Sequence, residues 1–168
     1  MPRFNANITM LFQEVNFMDR LKAAAQAGFK GVEYLFPYEY AAADLVEALQ
    51  SNGLTQVLHN LPAGDWAAGE RGLASLPDRV SEFRDSVGKA IDYATALGCK
   101  QVNCLAGVPG AGVAPAKAHD TFVENLKFAA PKFAEAGIKL LVEAINSRDI
   151  PGFFLNTSAQ TERVLADV

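Results

Sequence analysis

The chain has 168 residues, half of them hydrophobic and a fifth charged, with a formal net charge of −4 at neutral pH. That length supports one domain with a sizeable core. The acidic balance and the scattered lysines and arginines argue against a general nucleic-acid binder, which concentrates basic side chains to neutralise phosphates. No apolar run reaches the roughly 20 residues of a membrane helix.

From the N-terminus, Met1-Pro2-Arg3-Phe4-Asn5 lacks the charged-then-apolar layout of a secretory signal. A first apolar run at 4–9 predicts a strand. Thereafter one junction recurs, in which a helix ends on glycine and a strand follows: Ala27-Gly28-Phe29, Asn52-Gly53-Leu54, Leu97-Gly98-Cys99 and Ala136-Gly137-Ile138. Glycine is favoured just past a helix end because it enters the left-handed region without a Cβ penalty. The junctions open apolar runs at 31–36, 56–60, 101–107 and 139–146, more continuous than alternating, as suits strands covered on both faces. Between them, Val80, Phe83, Val87, Ile91 and Ala94 recur at helical spacing within 79–98, and Phe122, Leu126, Ala129 and Phe133 within 118–137. Residues 157–168 predict a fifth helix.

Strand, helix, glycine, strand, repeated, predicts an α/β fold: one domain over 1–168, a parallel sheet with right-handed crossovers. Five such units fit either an open doubly wound sheet or five eighths of a barrel. The final residues Leu165-Ala166-Asp167-Val168 stand inside an amphipathic segment without a cap, which favours a barrel that continues. Cys99 and Cys104 are expected to be free buried thiols, and the expected address is the cytoplasm.

In parallel α/β sheets, function gathers at the C-terminal strand ends. The polar residues expected there are Asn7 and Thr9, Glu33 and Tyr34, His59 and Asn60, Asn103, and Glu143 and Asn146. Glu143 is the strongest, since it follows Lys139-Leu140-Leu141-Val142. Desolvation there would suit a general base, and a divalent metal would keep it as a ligand. A buried pairing with Lys or Arg is the structural alternative. For Glu33 an inward structural pairing is favoured. His59 either binds a substrate oxygen or caps its strand, and His119 reads as a surface residue. The long connection at 61–78 holds three glycines, Trp66 and Arg71, whose guanidinium could clamp a carboxylate. Neither nucleotide-binding spacing nor a nucleophile elbow occurs.

Four stretches carry a resemblance: 4–12 (FNANITMLF), 31–38 (GVEYLFPY), 59–72 (HNLPAGDWAAGERG), and Glu143-Ala144-Ile145-Asn146 followed by Asp149-Ile150-Pro151-Gly152-Phe153. On these the chain resembles the hydroxypyruvate isomerase family, in the xylose-isomerase-like group of TIM (β/α)8 barrels. The resemblance implies the N-terminal five of eight units, β1 to α5. It implies an aldose–ketose type isomerisation of hydroxypyruvate to tartronate semialdehyde (2-hydroxy-3-oxopropanoate), or of a related 2-oxo-tetronate. Glu143 matches one of the family's two proton-transferring glutamates and a ligand of a divalent metal, Mg or Mn, where one is bound. Asn7, His59, Asn60, Trp66 and Arg71 are the expected substrate contacts. The second glutamate and the remaining metal ligands would come from strands six to eight. The 168-residue chain alone is therefore expected to turn over little or not at all. Expected partners are a small hydroxy-oxo acid and a second copy of the chain covering apolar edges; nucleic acid, a membrane and a nucleotide cofactor are not expected. A reading of another class is a non-catalytic open-sheet binding module.

Overall fold

Each apolar run becomes a strand, and each glycine junction closes a helix. In the computed structural model, which describes residues 2–168, the strands are β1 (Asn5–Asn7), β2 (Gly31–Glu33), β3 (Thr55–Asn60), β4 (Gln101–Cys104) and β5 (Lys139–Val142). The helices are α1 (Phe17–Gln26), α2 (Ala42–Ser51), α3 (Val80–Ala96), α4 (Pro115–Glu135) and α5 (Ser158–Asp167), with a single 3-10 turn at Pro77–Arg79 before α3. Met1 of the expected domain lies outside the described residues. Most strands are shorter than the runs that predicted them. Leu105 and Ala106, for example, continue the apolar run of β4 and stay buried after its last ladder bond.

The junction glycines stop the helices as expected. Gly98 and Gly137 take φ +65° and +67°. The residue after each folds back on the last turn, with Cys99 N–H donating to Ala94 O at 2.8 Å and Ile138 N–H to Phe133 O at 2.9 Å. These bonds satisfy carbonyls that the helix end would leave open.

All four strand pairs are parallel, and the sheet order is β1-β2-β3-β4-β5 without reversal. A doubly wound sheet reverses its order at a switch point, so the open doubly wound alternative does not hold. Sequential order with right-handed crossovers leaves every helix on one face, and each helix packs against the next from α1 to α5. Between sheet and helices lies the core. Ala6, Ile8, Val32, Tyr34, Val102 and Cys104 meet Leu21, Leu45, Phe83, Val87, Phe122, Leu126 and Phe133, all essentially inaccessible. The opposite face is the concave one. Among the described residues, no helix is long and apolar enough to cross a membrane.

One irregularity decides which side chains reach that concave face. Val32 pairs with Gln56 but Glu33 pairs with Leu58, so Val57 is the extra residue of a bulge. Gly31 permits it, since a Cβ there would stand 2.9 Å from Val57 Cγ2. A bulge resets the alternation of a strand. Beyond it Leu58 and Asn60 face inward, and His59 faces the helices.

Candidate active site

At the C-terminal strand ends the concave face forms a cavity of about 660 Å³. Alternation supplies its lining: Asn7 from β1, Glu33 and Leu35 from β2, Leu58 and Asn60 from β3, Asn103 and Leu105 from β4, Leu141 and Glu143 from β5. Met10, Trp66, Asn146, Asp149 and Ile150 close it from the loops. Of the expected substrate contacts, Asn7, Asn60 and Trp66 are therefore brought together with Glu143.

Glu143 follows β5 and is exposed. Among the described residues no further strand lies on the outer side of β5. The Glu143 carboxylate is held from within the sheet: Asn103 Nδ2 donates to Glu143 Oε2 at 3.2 Å and to Asn60 Oδ1 at 3.1 Å. The structural alternative fails, since Glu143 forms no ion pair among the described residues.

Glu33 does pair inward, with amides rather than a cation. Asn5 Nδ2 donates to one of its oxygens at 2.7 Å and Asn7 Nδ2 to the other at 3.1 Å. Asn7 Oδ1 accepts the Thr9 N–H at 3.1 Å, so the side chain of Asn7 orients Glu33 and the following turn while lining the cavity. Thr9 Oγ1 in turn accepts the Leu35 N–H at 2.9 Å.

His59 is a correction. It is 1 % exposed and turned toward the helices, where its ring packs edge-on against Tyr38. Its Nδ1 lies 3.0 Å from Asn60 O and 3.3 Å from the Tyr38 hydroxyl, while Nε2 has no partner. Burial pushes its pKa below the ordinary imidazole value, the Asn60 carbonyl opposing in part. His59 supports the residue that faces the cavity rather than facing it.

Arg71 stands one layer back. Its guanidinium stacks 4.1 Å above the Trp66 ring and donates to Trp66 O at 3.0 Å and Glu70 O at 2.8 Å, with no carboxylate partner among the described residues. The loop carrying both, 61–76, is tied at its base. Arg79 binds Glu70 at 2.6 Å, and this bond with the Asp65 N–H holds the Glu70 carboxyl below the usual range. Gly72 and Gly107 lock this loop to the one after β4. A Cβ on Gly72 would stand 2.4 Å from Leu105 O, and one on Gly107 would stand 2.3 Å from Gly72 O.

His119 is half-buried at the surface, 3.3 Å from Asp167 of α5. Cys99 and Cys104 are buried and free. Burial pushes the Cys104 thiol up to about 12 and that of Cys99 upward, which leaves neither a ready nucleophile.

Sequence reasoning missed two features here: the amide bridge through Asn103, and Asp149, whose carboxylate is held by Asn146 Nδ2 at 2.7 Å. Period-two counting from Asn60 would have found Leu58; nothing local announces the bulge or the bridge. For a metal the residues fit poorly. No three His, Cys, Asp or Glu side chains among the described residues are close enough to hold an ion together, and Glu143 alone is one ligand of a set.

The family model for the xylose isomerase-like TIM barrel matches residues 21–168. Over all 168 residues the chain is 52 % identical to hydroxypyruvate isomerase of Escherichia coli (strain K12), covering 65 % of that protein. It is 48 % identical to 2-oxo-tetronate isomerase of Cupriavidus necator, again covering 65 %. A solved structure from Brucella melitensis, described as an AP endonuclease of family 2, superposes with a TM-score of 0.91 at 46 % identity, over 98 % of this chain and 65 % of that one. The chain thus spans about two thirds of the length of these relatives, and with its unreversed parallel sheet, one-sided helices and matching model, it belongs to the xylose isomerase-like TIM barrel family.

Proposed function

We propose that the complete polypeptide carrying this chain is a sugar-acid isomerase that interconverts hydroxypyruvate and 2-hydroxy-3-oxopropanoate, with Glu143 as the proton carrier. The observation that carries the reading is Glu143 at a strand end, its carboxylate oriented by Asn103 at a cavity lined by side-chain amides, apolar side chains and two further carboxylates, Glu33 and Asp149. The likeness to isomerases of this class at 52 % and 48 % identity supports it.

The reaction balances without an oxidant. Glu143 takes the proton from C3 of hydroxypyruvate, the C–H electron pair forms the C2–C3 double bond, and the carbonyl pair moves onto O2. The proton is returned to C2, and the hydroxyl proton passes from O3 to O2. Such a step needs a positioned base and donors for the developing enediolate. The substrate is an anion, and the three carboxylates on the cavity wall (Glu33, Glu143, Asp149) disfavour it. Arg71, stacked beside Trp66, is the cation that would receive its carboxylate.

A second reading on the same site is 2-oxo-tetronate as substrate, favoured by the relative from Cupriavidus necator. An endonuclease reading is disfavoured by the net charge of −4 and the scatter of the lysines and arginines, since a phosphate backbone calls for a concentrated basic face.

The test is a substrate panel on the complete polypeptide. Hydroxypyruvate turnover is expected, and Glu143→Gln should lower kcat by about a hundred- to ten-thousand-fold, the range of a positioned base. Turnover unchanged in Glu143→Gln would sink the assignment, and preferential turnover of 2-oxo-tetronate would select the second reading.

A further inference from the structure

The amide bridge behind Glu143 also dictates which end of Asn60 meets the substrate; this step rests on the isomerase reading. Asn103 is 4 % exposed and Asn60 5 %, so water cannot substitute freely for their bonds. A carboxylate oxygen only accepts, and Asn103 donates to Glu143 Oε2. Flipping the Asn103 amide would set oxygen against oxygen. The other hydrogen of the same Nδ2 goes to Asn60 Oδ1, which obliges Asn60 to present its oxygen to the bridge. The NH2 of Asn60 is left on the other side, in the cavity the residue lines, with no acceptor among the described residues. The main chain behind it is pinned as well, since the Tyr38 hydroxyl donates to Asn60 O at 2.6 Å.

We propose that Asn60 Nδ2 is the hydrogen-bond donor to the substrate's enediolate oxygen O2, and that Asn103 is the positioning residue that holds it in that sense by reading the carboxylate of Glu143. As the C3 proton moves to Glu143, negative charge leaves that carboxylate and develops on O2. The donor is already aimed there, so no group has to reorient during the step.

Asn60→Asp in the complete polypeptide is the cleanest test. It keeps the shape and the acceptor toward Asn103, replaces the donor by oxygen and adds a negative charge, so the uncharged Asn60→Ala is read beside it. The expected result is a kcat lower by about a hundred- to a thousand-fold, the loss typical of one oxyanion donor, matched by the uncharged Asn60→Ala, with KM raised in Asn60→Asp alone because a further carboxylate then faces the anionic substrate. Asn103→Leu should show a larger loss alone than in an Asn60→Ala background, the difference being the part that acts through Asn60 and the remainder the lost orientation of Glu143. A kcat near wild type in Asn60→Asp, or equal losses from Asn103→Leu in both backgrounds, overturns the inference while leaving the isomerase reading intact. Side-chain amide exchange by 15N NMR reads the same bridge without turnover: slow exchange at Asn103 Nδ2 and fast exchange at Asn60 Nδ2 are expected, and the reverse overturns it. A wild-type protein that converts neither hydroxypyruvate nor 2-oxo-tetronate removes the isomerase reading, and the substrate role of Asn60 with it.

Discussion

At the residue scale, His59 links packing to pH. Its imidazole is buried with Nε2 unpaired, and burial lowers its folded pKa beneath the value of about 6.5 in the unfolded chain. Above that value neither state is protonated and the full stability is present. As the pH falls below it, the unfolded state binds a proton that the folded state resists, and stability is lost until the folded pKa is reached. The melting temperature should therefore drop between pH 7 and pH 5, and His59→Gln should show a smaller drop despite a lower value at pH 7. A drop of wild-type size in the variant would assign the acid sensitivity to other groups. Asn60, one position on, faces the other way, so two adjacent polar residues that read alike as sequence divide into a support and a site contact.

At the element scale, the loop 61–76 behaves as a built wall rather than a free lid. Its ends are anchored by Gly72 N–H to Ala63 O at 3.0 Å and Ser75 N–H to Ala106 O at 2.8 Å. Gly72 sits at φ +123° against Leu105 O, where any side chain meets backbone. Gly72→Ala should destabilise the fold by about 1–3 kcal/mol, the cost of strain at a special backbone position, measured by urea denaturation; a neutral effect would mean the two loops separate readily. The periodic features were legible in advance. The glycine junctions placed the helix ends, and the stripe Phe122, Leu126, Ala129 and Phe133 is fully buried in α4. Strand-end position alone brought Asn7, Asn60 and Glu143 to one cavity. The inward turn of Leu58 and the outward turn of His59 were not legible, because the bulge arises from pairing with β2. The Asn103 bridge was hidden for the same reason, since its partners are 43 and 40 residues away.

At the scale of the whole molecule, β1 and β5 are the edges of the sheet, and the concave face is lined mainly by Leu58, Leu105 and Leu141 beneath its amides. The expectation of an apolar β1 needs correcting, since the strand is Asn5-Ala6-Asn7 and its concave side is amide-lined. The apolar exposure lies beside it, at Phe4 and Met10, 75 % and 66 % exposed. Unpaired edges next to exposed apolar side chains recruit further strands. The 168-residue chain expressed alone should therefore elute as an oligomer, while the complete polypeptide should show no such edge-driven association. Light scattering separates the cases, and a sharp monomer of the short chain would show that these edges are tolerated in water.

The contact between Gly72 and Gly107 also bears on any attempt to redesign substrate preference. The two strand-end loops meet backbone to backbone, so neither can be lengthened, or given a side chain at the contact, without displacing the other. A graft of the Trp66 and Arg71 segment from a relative would have to carry the residues around Gly107 with it, and the two segments form one exchangeable cassette.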